Sequence, residues 1–132
     1  MSDESALAAV TAANQAFYDA HEARDLGAMT AVWLHDDSAT CVHPGWPFLR
    51  GWTAIEASWR AIFQGPGRNQ FILTDVVATV GQDIAWVTLE ENLVDQGSLA
   101  PITATNVFRL VDGEWRLVVH HAGPVLAQTA GE

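Results

Sequence analysis

The spacing of apolar residues switches once along this chain, near Asn69, and does not switch back. Upstream, apolar residues recur at three- and four-residue steps, the repeat that builds one face of a helix; downstream they fall in β-branched and aromatic runs. Leu7, Val10, Asn14, Phe17 and His21 form the first stripe, with Ser2 as N-cap and Asp3 and Glu4 in the positive first turn. Asp25 caps a shorter helix in which Met29, Val32 and Trp33 share a face, and His35-Asp36-Asp37-Ser38 ends it. Residues 39–43 (ATCVH) read as a short strand, and Pro44-Gly45-Trp46-Pro47 as a loop. Thr53 and Glu56 have the spacing of a capping box. Ile55, Trp59 and Ile62 carry a third helix to about Phe63, where Gly65-Pro66-Gly67 stops it.

Four strand-like runs follow: FILTDVVATV, DIAWVTLEENLV, ITATNVFRLV and EWRLVVHHA. Gly81-Gln82-Asp83 and Asp112-Gly113 are tight hairpin signals, and Asp95 to Pro101 is a longer connection. Helices followed by an antiparallel meander, without strand–helix alternation, define an α+β class in which helices cover one face of a curved sheet. At 132 residues, 49% apolar, the chain is expected to form one domain over residues 1–132.

Sixteen Asp plus Glu stand against six Arg and no Lys, a formal charge of −10. Such a surface repels phosphate backbones and anionic lipids, so neither nucleic acid nor a membrane is an expected partner. One cysteine, Cys41, excludes an intrachain disulfide and a multi-thiolate metal site within one chain. The acidic start MSDESALAAV lacks the order of a secretion signal, and no apolar run reaches membrane-spanning length, so a cytoplasmic protein is expected.

Three stretches resemble the nuclear transport factor 2-like superfamily, with its cystatin-like fold and its SnoaL-like and ketosteroid isomerase-like domains. They are AAVTAANQAFYDAHEARDLGAMTAVW, CVHPGWPFLRGWTAIEASWRAIF and the closing DGEWRLVVHHAG. The resemblance implies three N-terminal helices packed in the concave face of a strongly bent antiparallel sheet, a cone-shaped α+β barrel. It also implies a mostly apolar pocket open at one end and a homodimer through the sheet's outer face. The same scaffold hosts isomerases, dehydratases, cyclases and association modules, so function rests on the pocket residues.

Strand alternation sorts those residues. In the last run Trp115, Leu117, Val119 and His121 share one face, and Arg116, Val118 and His120 the other. The first set is the more apolar, which places His121 near the pocket and His120 with Arg116 on the outer face; a hydrogen-bonded core histidine is the alternative for His121. Ile84, Trp86, Thr88 and Glu90 share one face of their strand, and Ala85, Val87, Leu89, Glu91 and Leu93 the other. Alternation alone does not choose between them. Glu90 is taken as the candidate base, with an outer-face charge paired to Arg109 or Arg116 as the alternative for either glutamate. A carboxylate inside an apolar cone would titrate near neutrality and serve as acid or base.

Cys41 and His43 lie two apart on one strand face, and His43 enters the Pro-Gly-Trp-Pro loop. The C-x-H spacing supplies no activated thiolate, so Cys41 is expected to be a small buried residue and His43 the functional candidate. Catalytic candidates are therefore His43, His121 and Glu90. Tyr18, Trp33, Trp46, Trp59 and Asn106 are candidate ligand contacts: the indoles as walls for a flat ligand, and Asn106, which interrupts an apolar face, as an orienting group. Asn14 and Thr105 are further polar groups of this kind. The ketosteroid isomerase pattern of one Asp base with a Tyr and Asp acid pair does not carry over, because Tyr18 is the sole tyrosine and no motif ties Asp75 to that base.

The sequence thus points to a domain binding a small apolar or aromatic molecule. It would act as a cofactor-independent isomerase, dehydratase or cyclase, or alternatively as a noncatalytic binding or association module. Neither a metal nor a nucleotide cofactor is expected; convergence of His43, His121 and a glutamate on a metal is the weakest reading.

Overall fold

The computed structural model describes residues 3–94 and 101–126. Ser2 and most of the Asp95–Pro101 connection lie outside them. The elements in chain order are α1 (Asp3–Ala23), α2 (Leu26–Val32), β1 (Thr40–Val42), β2 (Leu49–Arg50), α3 (Trp52–Gln64), β3 (Phe71–Val80), β4 (Ile84–Leu93), β5 (Ile102–Val111) and β6 (Glu114–Pro124). The strands form one sheet in the order β2-β1-β6-β5-β4-β3. Four of them are the meander expected from the sequence. Two short strands extend it, with β1 running parallel to β6 and β2 antiparallel to β1. The sheet is therefore six-stranded, with one parallel pair, and does not close into a barrel.

Local chemistry explains the boundaries. Asp25 caps α2 by accepting from the Ala28 N–H at 3.0 Å. The capping box expected at the start of α3 is absent; Gly51, at φ 85°, is the N-cap and makes no side-chain cap. The 36–39 turn takes the backbone donors there instead, with Gly51 N–H on Ala39 O and Trp52 N–H on Asp36 O. The α3 C-terminus closes through Gly65 N–H on Ala61 O and Ile62 O. Asp112 and Gly113 both have positive φ, 52° and 81°, as a two-residue hairpin turn with native twist requires.

Helix α1 lies across the concave face and touches β3, β4 and β6. Its buried stripe is Val10, Asn14, Phe17 and Tyr18, with His21 half-buried. Leu7 is exposed, so the stripe starts one turn later than its spacing suggests. Two bulges bend the sheet. In β3 the pairing jumps between Thr74 and Val77, with Asp75 at φ 55°. In β6, Val107 faces Val119 while Phe108 faces Leu117, which leaves Val118 as an extra residue.

That second bulge corrects the sequence reading of β6. One inserted residue reverses the alternation downstream, so Trp115 and Leu117 point inward before it and His120 and Ala122 after it. His120 is buried and His121 is exposed on the outer face, edge-on to Phe48.

Candidate functional site

The concave face encloses a hollow of about 280 Å³ between the end of α1, the Pro44–Trp46 loop, α3 and strands β3–β6. Glu91, His21, His43, His120, Trp46 and Asn69 are among its lining residues, together with apolar side chains such as Ile62, Phe71 and Ile102. Its size falls just under the usual range of roughly 300–1,000 Å³ for small-molecule sites. A larger groove of about 520 Å³ lies elsewhere, lined by α1 and α2 alanines, Trp115 and Arg116, and gathers no histidine and no buried carboxylate.

Glu91 is the acid of the hollow. Burial between Leu89 and Leu93 on the inner face of β4 leaves it 4% exposed. Desolvation pushes its carboxyl up to about 7, partly offset by Tyr18, whose O–H donates to Oε2 at 2.6 Å. The Tyr18 hydroxyl is itself pushed up by burial and by the Glu91 charge. Asn106, fully buried, donates from Nδ2 to Asn14 Oδ1 at 2.9 Å and to the Tyr18 oxygen at 3.2 Å, and accepts at Oδ1 from His120 Nδ1 at 2.6 Å.

Three histidines surround Trp59, with ring centroids 5.0 Å (His21), 4.6 Å (His43) and 6.5 Å (His120) away. Desolvation pulls His21 and His43 down to about 4 and holds His120 well below its ordinary value, so all three are neutral at pH 7. His43 Nε2 lies 2.8 Å from Ser58 Oγ, whose own hydrogen goes to Ile55 O at 2.6 Å. Cys41 is buried beside His43, and desolvation raises its thiol, which makes it an inert core group.

The structure brings together some of the expected residues and separates others. His43, Tyr18, Asn106 and Trp59 form or back the hollow, and Trp46, 42% exposed, stands at its edge against His43 with centroids 4.8 Å apart. Glu90 lies on the opposite face of β4, where its Oε1 accepts from Thr74 Oγ1, because its neighbour Glu91 takes the inward position. His121 is outside through the β6 bulge. Trp33 lies in the core against Phe17 and Trp52, away from the hollow. Arg116 pairs with Glu114 rather than with either β4 glutamate. His120, Ser58 and the inward role of His21 were not singled out by sequence reasoning; the place of His21 on the α1 stripe was the one available signal. Among the described residues, no group of three or more His, Cys, Asp or Glu is arranged to hold a metal.

Helices over a bent open sheet, with a buried acid and neutral imidazoles in the concavity, define a small α+β domain. The chain belongs to the SnoaL-like domain family, whose model matches residues 10–127. It is similar to a candidate dehydratase of the NTF2-like family from Streptomyces avermitilis, at 37% identity and TM-score 0.87, covering 96% of this chain and all of that one. A candidate calcium/calmodulin-dependent protein kinase type II association domain from Thiobacillus denitrificans is 39% identical, with TM-score 0.79, over 88% of this chain and 94% of that one. The F-box protein SKIP8 of Arabidopsis thaliana is 32% identical over 89% of this chain, which spans about half of that relative's length. More distant cystatin-like and ketosteroid isomerase-like structures share the fold alone.

Proposed function

We propose that this chain is an acid–base enzyme that moves a proton on a small, largely apolar substrate in the Glu91 hollow. The observation that carries this is one buried carboxyl, held by Tyr18 and raised to about 7, facing a hollow lined by neutral histidines and apolar side chains. Near neutrality such a group is present in both forms. As carboxylate it takes a proton from a substrate C–H bond, leaving the electron pair on the substrate; as carboxylic acid it returns that proton to another atom, completing an isomerisation. If the electron pair instead expels a leaving group from the adjacent carbon, the same base completes an elimination. The dehydratase description of the Streptomyces relative is of this chemical kind.

The test uses 5-nitrobenzisoxazole, a small aromatic carbon acid whose ring opens when a base removes its C–H proton, releasing a coloured phenolate. Ring opening should be saturable, rise with pH through about 7 and fall by about 100-fold in Glu91→Gln. Activity equal to free carboxylate in solution, or unchanged in Glu91→Gln, would contradict this reading and favour a noncatalytic binding module.

A second reading concerns assembly and is compatible with the first. The outer face of the sheet presents Ile72, Val77, Ile84 and Trp86, 60%, 54%, 36% and 42% exposed, beside half-buried Val107 and Val119. An antiparallel sheet whose second face met water would be polar there. We infer that two copies pair through this face. Sedimentation at low micromolar concentration should give twice the 14.3 kDa chain mass; a species of one chain mass would refute it. Among the described residues no helix is long and apolar enough to cross a membrane. The single buried thiol, Cys41, supports a cytoplasmic setting.

A further inference from the structure

The hydrogen bonds behind Glu91 all run one way. Tyr18 has a single hydrogen, which goes to Glu91 Oε2, so its oxygen accepts from Asn106 Nδ2. The same Nδ2 donates to Asn14 Oδ1, which turns Asn106 Oδ1 toward His120. His120 Nδ1 must then be the donor of that 2.6 Å bond, and a neutral ring protonated at Nδ1 leaves Nε2 bare. The chain His120 to Asn106 to Tyr18 to Glu91 spans β6, β5, α1 and β4 with bonds of 2.6, 3.2 and 2.6 Å, each polarising the next toward the carboxylate.

His43 follows the same logic. Ser58 gives its hydrogen to Ile55 O, so it accepts from His43 Nε2–H, and His43 Nδ1 is left as an acceptor with the Cys41 thiol 3.9 Å away. The buried donors of Tyr18, Asn106, His120, His43 and Ser58 are thus all engaged within the protein. What this network leaves toward the hollow are two acceptors, the Glu91 carboxylate and His120 Nε2, while the Asn69 amide and the Trp46 indole lie elsewhere on its lining. His21 adds a buried Nδ1 with no partner.

We propose that the hollow selects a ligand that donates, an apolar ring compound bearing a hydroxyl group, and that His120 is a specificity-determining residue because its Nε2 accepts that O–H. This rests on reading the hollow as a ligand site. A ligand carbonyl or ether oxygen would oppose lone pairs with lone pairs, and an anion would meet the Glu91 charge in a poorly solvated space. A hydroxyl brings the proton that His120 Nε2 can accept, and the loss of that match is how a buried polar site rejects a near-isostere.

Calorimetry at pH 8.5 with four naphthalenes tests this: 2-methylnaphthalene, 2-naphthalenemethanol, its methyl ether and 2-naphthoate. The alcohol should bind about 10-fold more tightly than each of the other three. His120→Phe should bring the alcohol's affinity down to that of 2-methylnaphthalene in the same variant. In the wild-type protein, ¹⁵N NMR should show His120 as the Nδ1–H tautomer, with Nε2 shifting when the alcohol is added. An ether or carboxylate that binds as tightly as the alcohol, or an Nε2–H tautomer, would overturn the proposal. If 2-methylnaphthalene binds and the alcohol binds no better, the specificity proposal alone fails. If none of the four binds, the ligand-site reading fails and takes this inference with it.

Discussion

Asn106 holds the buried polar groups together at the residue scale, since Asn14, Tyr18 and His120 all meet on its amide. Its interruption of an apolar face was legible in the sequence, as were the polar positions Asn14 and Tyr18. The identity of the buried carboxyl was not. Glu90 and Glu91 alternate between two faces that both carry large apolar residues, so hydropathy gives no vote. Burial of Glu91 and of three histidines ties stability to pH with opposite signs. Glu91 has a raised folded-state value, so its contribution is present at low pH and is lost as pH rises from about 4.5 to about 7. His21 and His43 have values lowered to about 4, so their contributions are present above about 6.5 and are lost as pH falls toward 4; buried His120 is lowered too and acts in the same direction. Between about pH 4.5 and 6.5 the histidines outweigh the one acid, so unfolding should take up protons and stability should rise with pH. Glu91→Gln removes the opposing group and should raise the uptake by about one proton. Urea unfolding across this range measures it, and an unchanged slope in the variant would show that Glu91 titrates alike in both states.

At the scale of elements, the runs for β3 and β5 coincide with the strands observed, because long β-branched segments between glycine breaks leave little choice of boundary. Strand β2 is two residues long and forms only because β1 is beside it, so no local pattern announces it. The β6 bulge is equally silent: it falls in Leu-Val-Val, where every residue suits a strand, and the excess residue is defined by the partner β5. Nor does the sequence announce the joint between α1 and α3. Arg24, at φ 54° just past α1, reaches the carbonyls of Ile62, Phe63, Gly65 and Gly67, while Glu22 accepts from the Phe71 N–H at 2.7 Å. One guanidinium thus satisfies the open carbonyl end of α3 and fixes the wall that Ile62 gives to the hollow. Arg24→Ala should cost about 1–3 kcal/mol and speed amide exchange in residues 62–71 ahead of the rest of α3. Exchange that rises evenly through the molecule, or not at all, would show that the joint does not depend on this contact.

The whole molecule has two apolar surfaces with different fates. The concave one is covered by helices and narrows to the Glu91 hollow; the convex one carries Trp86 and its neighbours in the open. The order of elements made the α+β class readable from one change in periodicity, whereas the curvature that makes a hollow comes from two bulges that periodicity does not record. Trp86→Glu places a charge at the centre of the proposed dimer face without touching the hollow. Sedimentation should then show one chain mass where the parent shows two, with ring opening of 5-nitrobenzisoxazole retained in the variant. A Trp86→Glu protein that sediments like its parent would remove this face from the assembly.

Glu91 is the proposed neutral-range acid and base of the hollow. The most direct measurement is a ¹³C NMR titration of its side-chain carboxyl, with and without 2-naphthalenemethanol. The expected midpoint is close to 7 and moves when the alcohol is added. A midpoint near 4.5, the ordinary glutamate value, unaffected by the alcohol, would contradict it.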